Sequence, residues 1–131
     1  MALRYSNALI DTRLAAVVTA AGNGAVLQMY AGATPAKGAT PAGTLLAELT
    51  CGSTLGTVSN GVLTLNAITG DSSANADGTG TYWRLMQGAT FVVDGSLGIV
   101  GSGADIEMNS VSFTTGVSVD VTSMTITGGN N

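Results

Sequence analysis

Residues 80–99, GTYWRLMQGATFVVDGSLGI, constrain the fold more than any other stretch of this chain. They hold the only tryptophan and half of the aromatic residues. Alternation at period two puts Tyr82, Arg84 and Met86 on one face and Thr81, Trp83 and Leu85 on the other. Gln87-Gly88 offers a turn, Ala89 to Val93 is a second β-prone run, and Asp94-Gly95 closes it. Two such runs around a Gly-containing turn predict a β-hairpin. Trp83 and Phe91 carry large apolar surfaces, so the core is expected to gather around them. The competing use of Trp83 is as a stacking platform for a ligand.

Upstream, Ser6 is a candidate N-cap for a helix over about residues 6–21. Ile10, Leu14, Val17, Val18 and Ala21 fall on one face at helical spacing, and Asn7, Asp11, Ala15 and Thr19 lie mostly opposite. Gly22-Asn23-Gly24 stops the helix, because glycine enters the left-handed region that ends helices. The short apolar run from Leu14 to Ala21 has the look of a signal-peptide core, but its amphipathic pattern and the nearby Asp11 and Arg13 favour a retained helix. Synthesis in a cytoplasm is the corresponding expectation.

Further strands are expected at Ala25 to Tyr30, Thr44 to Thr50 and Val62 to Ile68, the last behind the turn signal Asn60-Gly61. Residues 31–43 form a loop that contains both prolines and a small duplication around Ala-Thr-Pro-Ala. Connections of that length are often functional. Residues 51–58 read as irregular and 70–80 as a polar loop. Ile106 to Met108 and Val111 to Phe113 read as one strand bulged near Asn109-Ser110. Val117, Val119 and Val121 alternate with polar residues, and Met124 and Ile126 continue one register out, which places a kink near Ser123. Gly128 to Asn131 reads as a frayed tail. One helix followed by about seven or eight short strands with Gly-rich turns predicts a mainly β chain. The expected fold is a β-sandwich or jelly-roll-like domain with one N-terminal α-helix and a β region over about 25–127. The length fits a single domain spanning residues 1–131.

The charge content narrows the function. Charged residues make up 9% of the chain, against about 25% in an ordinary soluble domain. Lysine, glutamate and proline normally guard β-edges against pairing with other chains. Their scarcity implies a surface covered by partners; the alternative is a free domain kept in solution by Ser, Thr and a net charge of −4. The four basic residues, Arg4, Arg13, Lys37 and Arg84, make no stripe, so no nucleic-acid partner is expected. No apolar run approaches the length of a membrane span. Cys51 is alone and reads as a small, partly buried apolar residue.

Chemistry-bearing groups are few. The chain has no histidine, hence neither the commonest general base nor the commonest metal ligand. Asp105 and Glu107 alternate onto one strand face, where a solvated face is favoured over a glycoside-cleaving pair. The loop from Ser73 to Gly78 departs from a calcium loop at its first and last ligand positions, leaving at most an irregular site near Asp71 and Asp77. No catalytic, cofactor-binding or metal residue is assigned, no cofactor is expected, and the chain reads as a non-enzyme.

The blocks LRYSNALIDTRLAAVVTAAG, LQMYAGATPA, TLLAELT, NGVLTLNAITG, GTYWRLM and FVVDGSLG, in this order, resemble small virion proteins of tailed bacteriophages. Within that group the chain is most similar to head decoration, or cement, proteins. The resemblance implies a small β-rich structural protein, made in the host cytoplasm and bound to the capsid exterior. Its partners would be the major capsid protein and itself, as a homotrimer rather than a homodimer. The helix at 6–21 and the loop at 31–43 are the candidate contact segments. A tail or fibre component contacting the host surface is the alternative. No functional residue is carried over from the resemblance.

Overall fold

A computed structural model describes residues 4–121 and 124–127. The kink expected near Ser123 and the tail from Gly128 lie outside these residues. The chain is mainly β, with one helix near its N-terminus and a β-sandwich-like arrangement of sheets.

Helix α1 spans Asn7–Ala21. The Ser6 hydroxyl oxygen caps it by accepting from the Leu9 N–H at 3.2 Å. At the other end Gly22 has φ 59° and donates its N–H to Val18 O. Ile10, Leu14 and Ala21 are buried, and Val17 and Val18 pack half-buried against the core. On the flank of that face, Asp11 Oδ1 accepts from the Gly61 N–H at 2.7 Å, which ties the helix to the turn at Asn60-Gly61.

The strands are β1 (Val26–Tyr30), β2 (Leu45–Thr50), β3 (Gly56–Ser59), β4 (Val62–Leu65), β5 (Gly78–Thr79), β6 (Tyr82–Gln87), β7 (Thr90–Ile99), β8 (Ile106–Met108), β9 (Ser112–Phe113) and β10 (Thr125–Thr127). A five-stranded sheet runs in the order β2-β1-β6-β7-β8, a three-stranded sheet β10-β4-β3, and a short pair joins β5 to β9. Helix α1 touches β3 and β4 of the second sheet and β6 and β7 of the first, so it bridges both. Leu27, Met29, Leu49, Trp83 and Leu85 from the first sheet, Leu63 and Leu65 from the second and Leu14 from the helix belong to one buried cluster.

The expected hairpin is present as β6 and β7, and Trp83 lies in the core at 1% exposure. Its indole Nε1–H donates to Ser96 O at 3.0 Å, so the ring's polar atom is satisfied inside the core. The ligand-stacking reading of Trp83 therefore falls. Asp94-Gly95 does not close the hairpin, because β7 runs on to Ile99. Gly95 sits under the indole: a Cβ there would lie 2.6 Å from Trp83 Cζ2. Glycine here makes room for the ring instead of turning the chain.

Phe91 corrects the sequence reading. The β6–β7 register pairs Leu85 with Val93 but Met86 with Phe91, skipping Val92. That extra residue is a β-bulge, and it moves the side chains beyond it to the other face. Phe91 consequently leaves the face of Trp83 and joins Arg84 and Met86, half-buried. Of the two large aromatic residues expected in the core, only Trp83 belongs to the buried cluster, beside Leu85 and Leu97 of the same hairpin.

Three further expectations change. The irregular stretch 51–58 contains most of β3, which pairs with β4 across the Asn60-Gly61 turn. The single bulged strand expected at 106–113 is two strands in different sheets: β8 pairs parallel with β7, and β9 pairs with β5. The valine alternation at 117–121 forms no strand; Val119 makes a single bridge to Asp71, with Val119 and Val121 buried and Val117 exposed. There the apolar side chains meet the core without a neighbouring ladder. Cys51 is a buried free thiol, more enclosed than the sequence implied.

Candidate functional site

The outer face of the five-stranded sheet carries the polar side chains that the core excludes. Cross-strand register lines up Gln28 with Arg84 and Arg84 with Asp94, and sets Tyr30 beside Tyr82. The two tyrosine rings stack at 5.2 Å with an interplanar angle of 9°. Tyr30 OH donates to Gln28 Oε1 at 3.0 Å, and Gln28 Nε2 donates to Glu48 Oε2 at 3.4 Å. The sequence placed Tyr82, Arg84 and Met86 together on one face, as found.

The loop at 31–43 folds over this face. Its neck is closed by the Ala31 N–H donating to Thr44 O at 3.0 Å, which makes it a compact loop with adjoining ends. Gly43 lies so close to the Ala31 backbone that a Cβ there would collide with Ala31 O. Inside the loop, Ala39 O accepts from Arg84 Nη1 at 2.9 Å. The Arg84 guanidinium lies 4.6 Å from the centroid of the Phe91 ring, a cation–π contact made possible by the bulge at Val92. A groove of about 380 Å3 remains, lined in part by Gln28, Tyr30, Thr40, Pro41, Arg84 and Phe91.

Arg84 was legible only as a scarce basic residue inside a core hairpin. The signal for its role was its position between Tyr82 and Met86 on a face opposite the tryptophan. The loop that closes over it has no sequence signature beyond its length and prolines.

The other sequence candidates do not converge. Asp105 and Glu107 line a second cavity, of about 600 Å3. Their carboxylates serve the backbone: Asp105 Oδ2 accepts from the Ser96 N–H at 3.0 Å, and Glu107 Oε2 from the Gly103 N–H at 2.8 Å. Asp71 bridges strands and loop by accepting from the Glu48 and Ser73 N–H groups. Asp77 Oδ1 accepts from both the N–H and the hydroxyl of Thr115, which hold its carboxyl below the usual range. Among the described residues, no three His, Cys, Asp or Glu side chains gather where a metal ion would need them. Also among these residues, no helix is long and apolar enough to cross a membrane.

No protein-family model matches the chain, and no curated protein or solved structure does.

Burial raises the pKa of three groups, making each a weaker acid. It pushes up the Cys51 thiol. It also raises Tyr82, with a further push from Tyr30 and against the pull of Arg84. Tyr30 is raised by burial and, less, by Glu48, again against Arg84. An acid whose folded pKa exceeds its unfolded value stabilises the fold fully below the unfolded value and loses that contribution as pH climbs through the folded one. Urea midpoints are therefore expected to start falling as pH passes the ordinary thiol value of 9.0 and to fall further past the tyrosine value of 10.0. A midpoint that rises across this window would contradict the burial of these groups.

Proposed function

We propose that this chain is a structural virion protein, a head decoration or cement protein that binds the outside of a capsid and stabilises the head. The carrying observation is the composition of the two edges of the three-stranded sheet. Strands β3 and β10 are the outer strands of the three-stranded sheet, and their sequences, GTVS and TIT, contain no charged residue and no proline. Unguarded edges offer backbone N–H and C=O groups to another chain. Ile99, Val100 and Val117 are also exposed, at 53%, 64% and 55%. These features support a surface that partners cover in a lattice, where many weak contacts act together through multivalency. The resemblance to tailed-phage virion proteins supports the same reading.

In this reading the partners are the major capsid protein and further copies of the chain, as a homotrimer before a homodimer, and the location is the capsid exterior. The loop at 31–43 and the exposed face of α1 are the contact segments. The protein is expected to cosediment with undecorated capsids, in hundreds of copies per particle, and to raise the temperature at which they open. Failure to cosediment, with no gain in heat resistance, would overturn the cement reading. A few copies per purified particle would point to a tail part.

A further inference from the structure

We propose that the groove over Arg84 is a binding site for a carboxylate group. The proposal stands apart from the capsid reading and survives or fails without it.

Arg84 is 4% exposed, yet it has no acidic partner within ion-pair distance among the described residues. Asp94 is opposite it in the register, but the two form no ion pair. Among the described residues, only Nη1 of its donors is used, by Ala39 O, and its buried Nε–H finds no hydrogen-bond partner. The guanidinium does not lose its proton in proteins, so the fold holds a permanent charge there. A buried charge without a counter-ion is strongly unfavourable, and the quadrupole of one aromatic ring offsets only part of that cost. The Tyr82 hydroxyl, on a residue with no exposure, is a second buried polar group without a partner on the same sheet face.

The geometry selects the ligand class. With Nη1 held by the loop, the unused donors are Nη2 and the buried Nε–H, and once a shift of the loop uncovers Nε the two present an edge that matches the two oxygens of a carboxylate. Phe91 lies against the guanidinium, and both it and residues 38–41 of the loop line the groove. At about 380 Å3 the groove is of the size that holds small organic ligands, and it is open enough for an acidic side chain to enter. A free dicarboxylate and a glutamate side chain from a partner present the same chemistry.

The test is a titration of 15N-labelled protein with sodium succinate and, separately, with a tetraglutamate peptide, at constant ionic strength set with sodium chloride. The Arg84 Nε–H resonance is expected to shift saturably. Saturation by succinate supports the site with a free acid as a sufficient ligand. Saturation by tetraglutamate alone supports it with an acidic protein segment as the source. Arg84→Lys keeps the charge but loses the two-pronged edge, and is expected to weaken binding at least about tenfold. Arg84→Met keeps the stem without the charge, so it is expected to fold, and to show no saturable shifts in the groove residues. The proposal is overturned if neither probe saturates, if chloride reproduces the shifts, or if Arg84→Met retains them.

Discussion

Trp83→Ala is expected to lower folding stability by about 3–5 kcal/mol, the range for removing a large aromatic side chain from a core. The residue is 1% exposed, and β6 holds it between β1 and β7 at the centre of the larger sheet. Truncation removes the indole from contact with Gly95 and abolishes the hydrogen bond to Ser96 O. That carbonyl is then left without its indole donor, which adds to the cavity cost. Because the substitution also removes the fluorophore, far-UV circular dichroism in urea is the appropriate readout. A loss under about 1 kcal/mol would mean that the indole contributes no core packing.

Gly95→Ala is the second large effect, at about 1–3 kcal/mol of destabilisation through overpacking. The added methyl would sit 2.6 Å from both Trp83 Cζ2 and Asp105 Oδ2. The carboxylate belongs to an exposed residue and can swing aside by giving up its bonds from the Ser96 N–H and hydroxyl, which water can partly replace; the indole is enclosed and cannot. The cost should therefore depend on the ring. In a Trp83→Phe background, which lacks the atoms that Gly95 accommodates, Gly95→Ala is expected to cost less. Residues in contact couple by about 0.5–3 kcal/mol in such double-mutant cycles. Strict additivity would show that another neighbour sets the constraint at Gly95.

What the sequence made legible follows from local physics. The helix has a serine cap, an apolar face at helical spacing and a glycine stop, all within one stretch of chain, and its observed bounds match. The β6–β7 hairpin declares itself by alternation around Gly88, and the mainly β class follows from many short runs of this kind. The features that escaped depend on registration between distant or imperfectly matched segments. A one-residue bulge at Val92 decides which face Phe91 takes, and alternation alone would have kept it beside Val93 on the inner face. Strand β3 hides in a Gly-rich stretch because its ladder with β4, and not its propensity, makes it a strand. The valines at 117–121 had the right period but found no strand to pair with beyond one bridge. Arg84 escaped for a related reason. Its environment is built by a loop that begins immediately after β1, far from it in sequence.

The position of β1 inside the sheet, between β2 and β6, also sets the order in which the fold can be made. It pairs with β2, which follows it closely, and with β6, which begins only at Tyr82. At about 5–20 residues per second, a ribosome needs roughly three to ten seconds to pass from Tyr30 to Tyr82. During that time the nascent chain presents an open apolar strand whose second neighbour does not yet exist. Closing the sheet then means joining segments about fifty residues apart, a class of contact that folds on the slower, millisecond-to-second scale. The same chain that exposes uncharged edges when finished thus passes through a more adhesive stage while it is being synthesised. Slower synthesis at lower expression levels is accordingly expected to raise the yield of correctly folded protein.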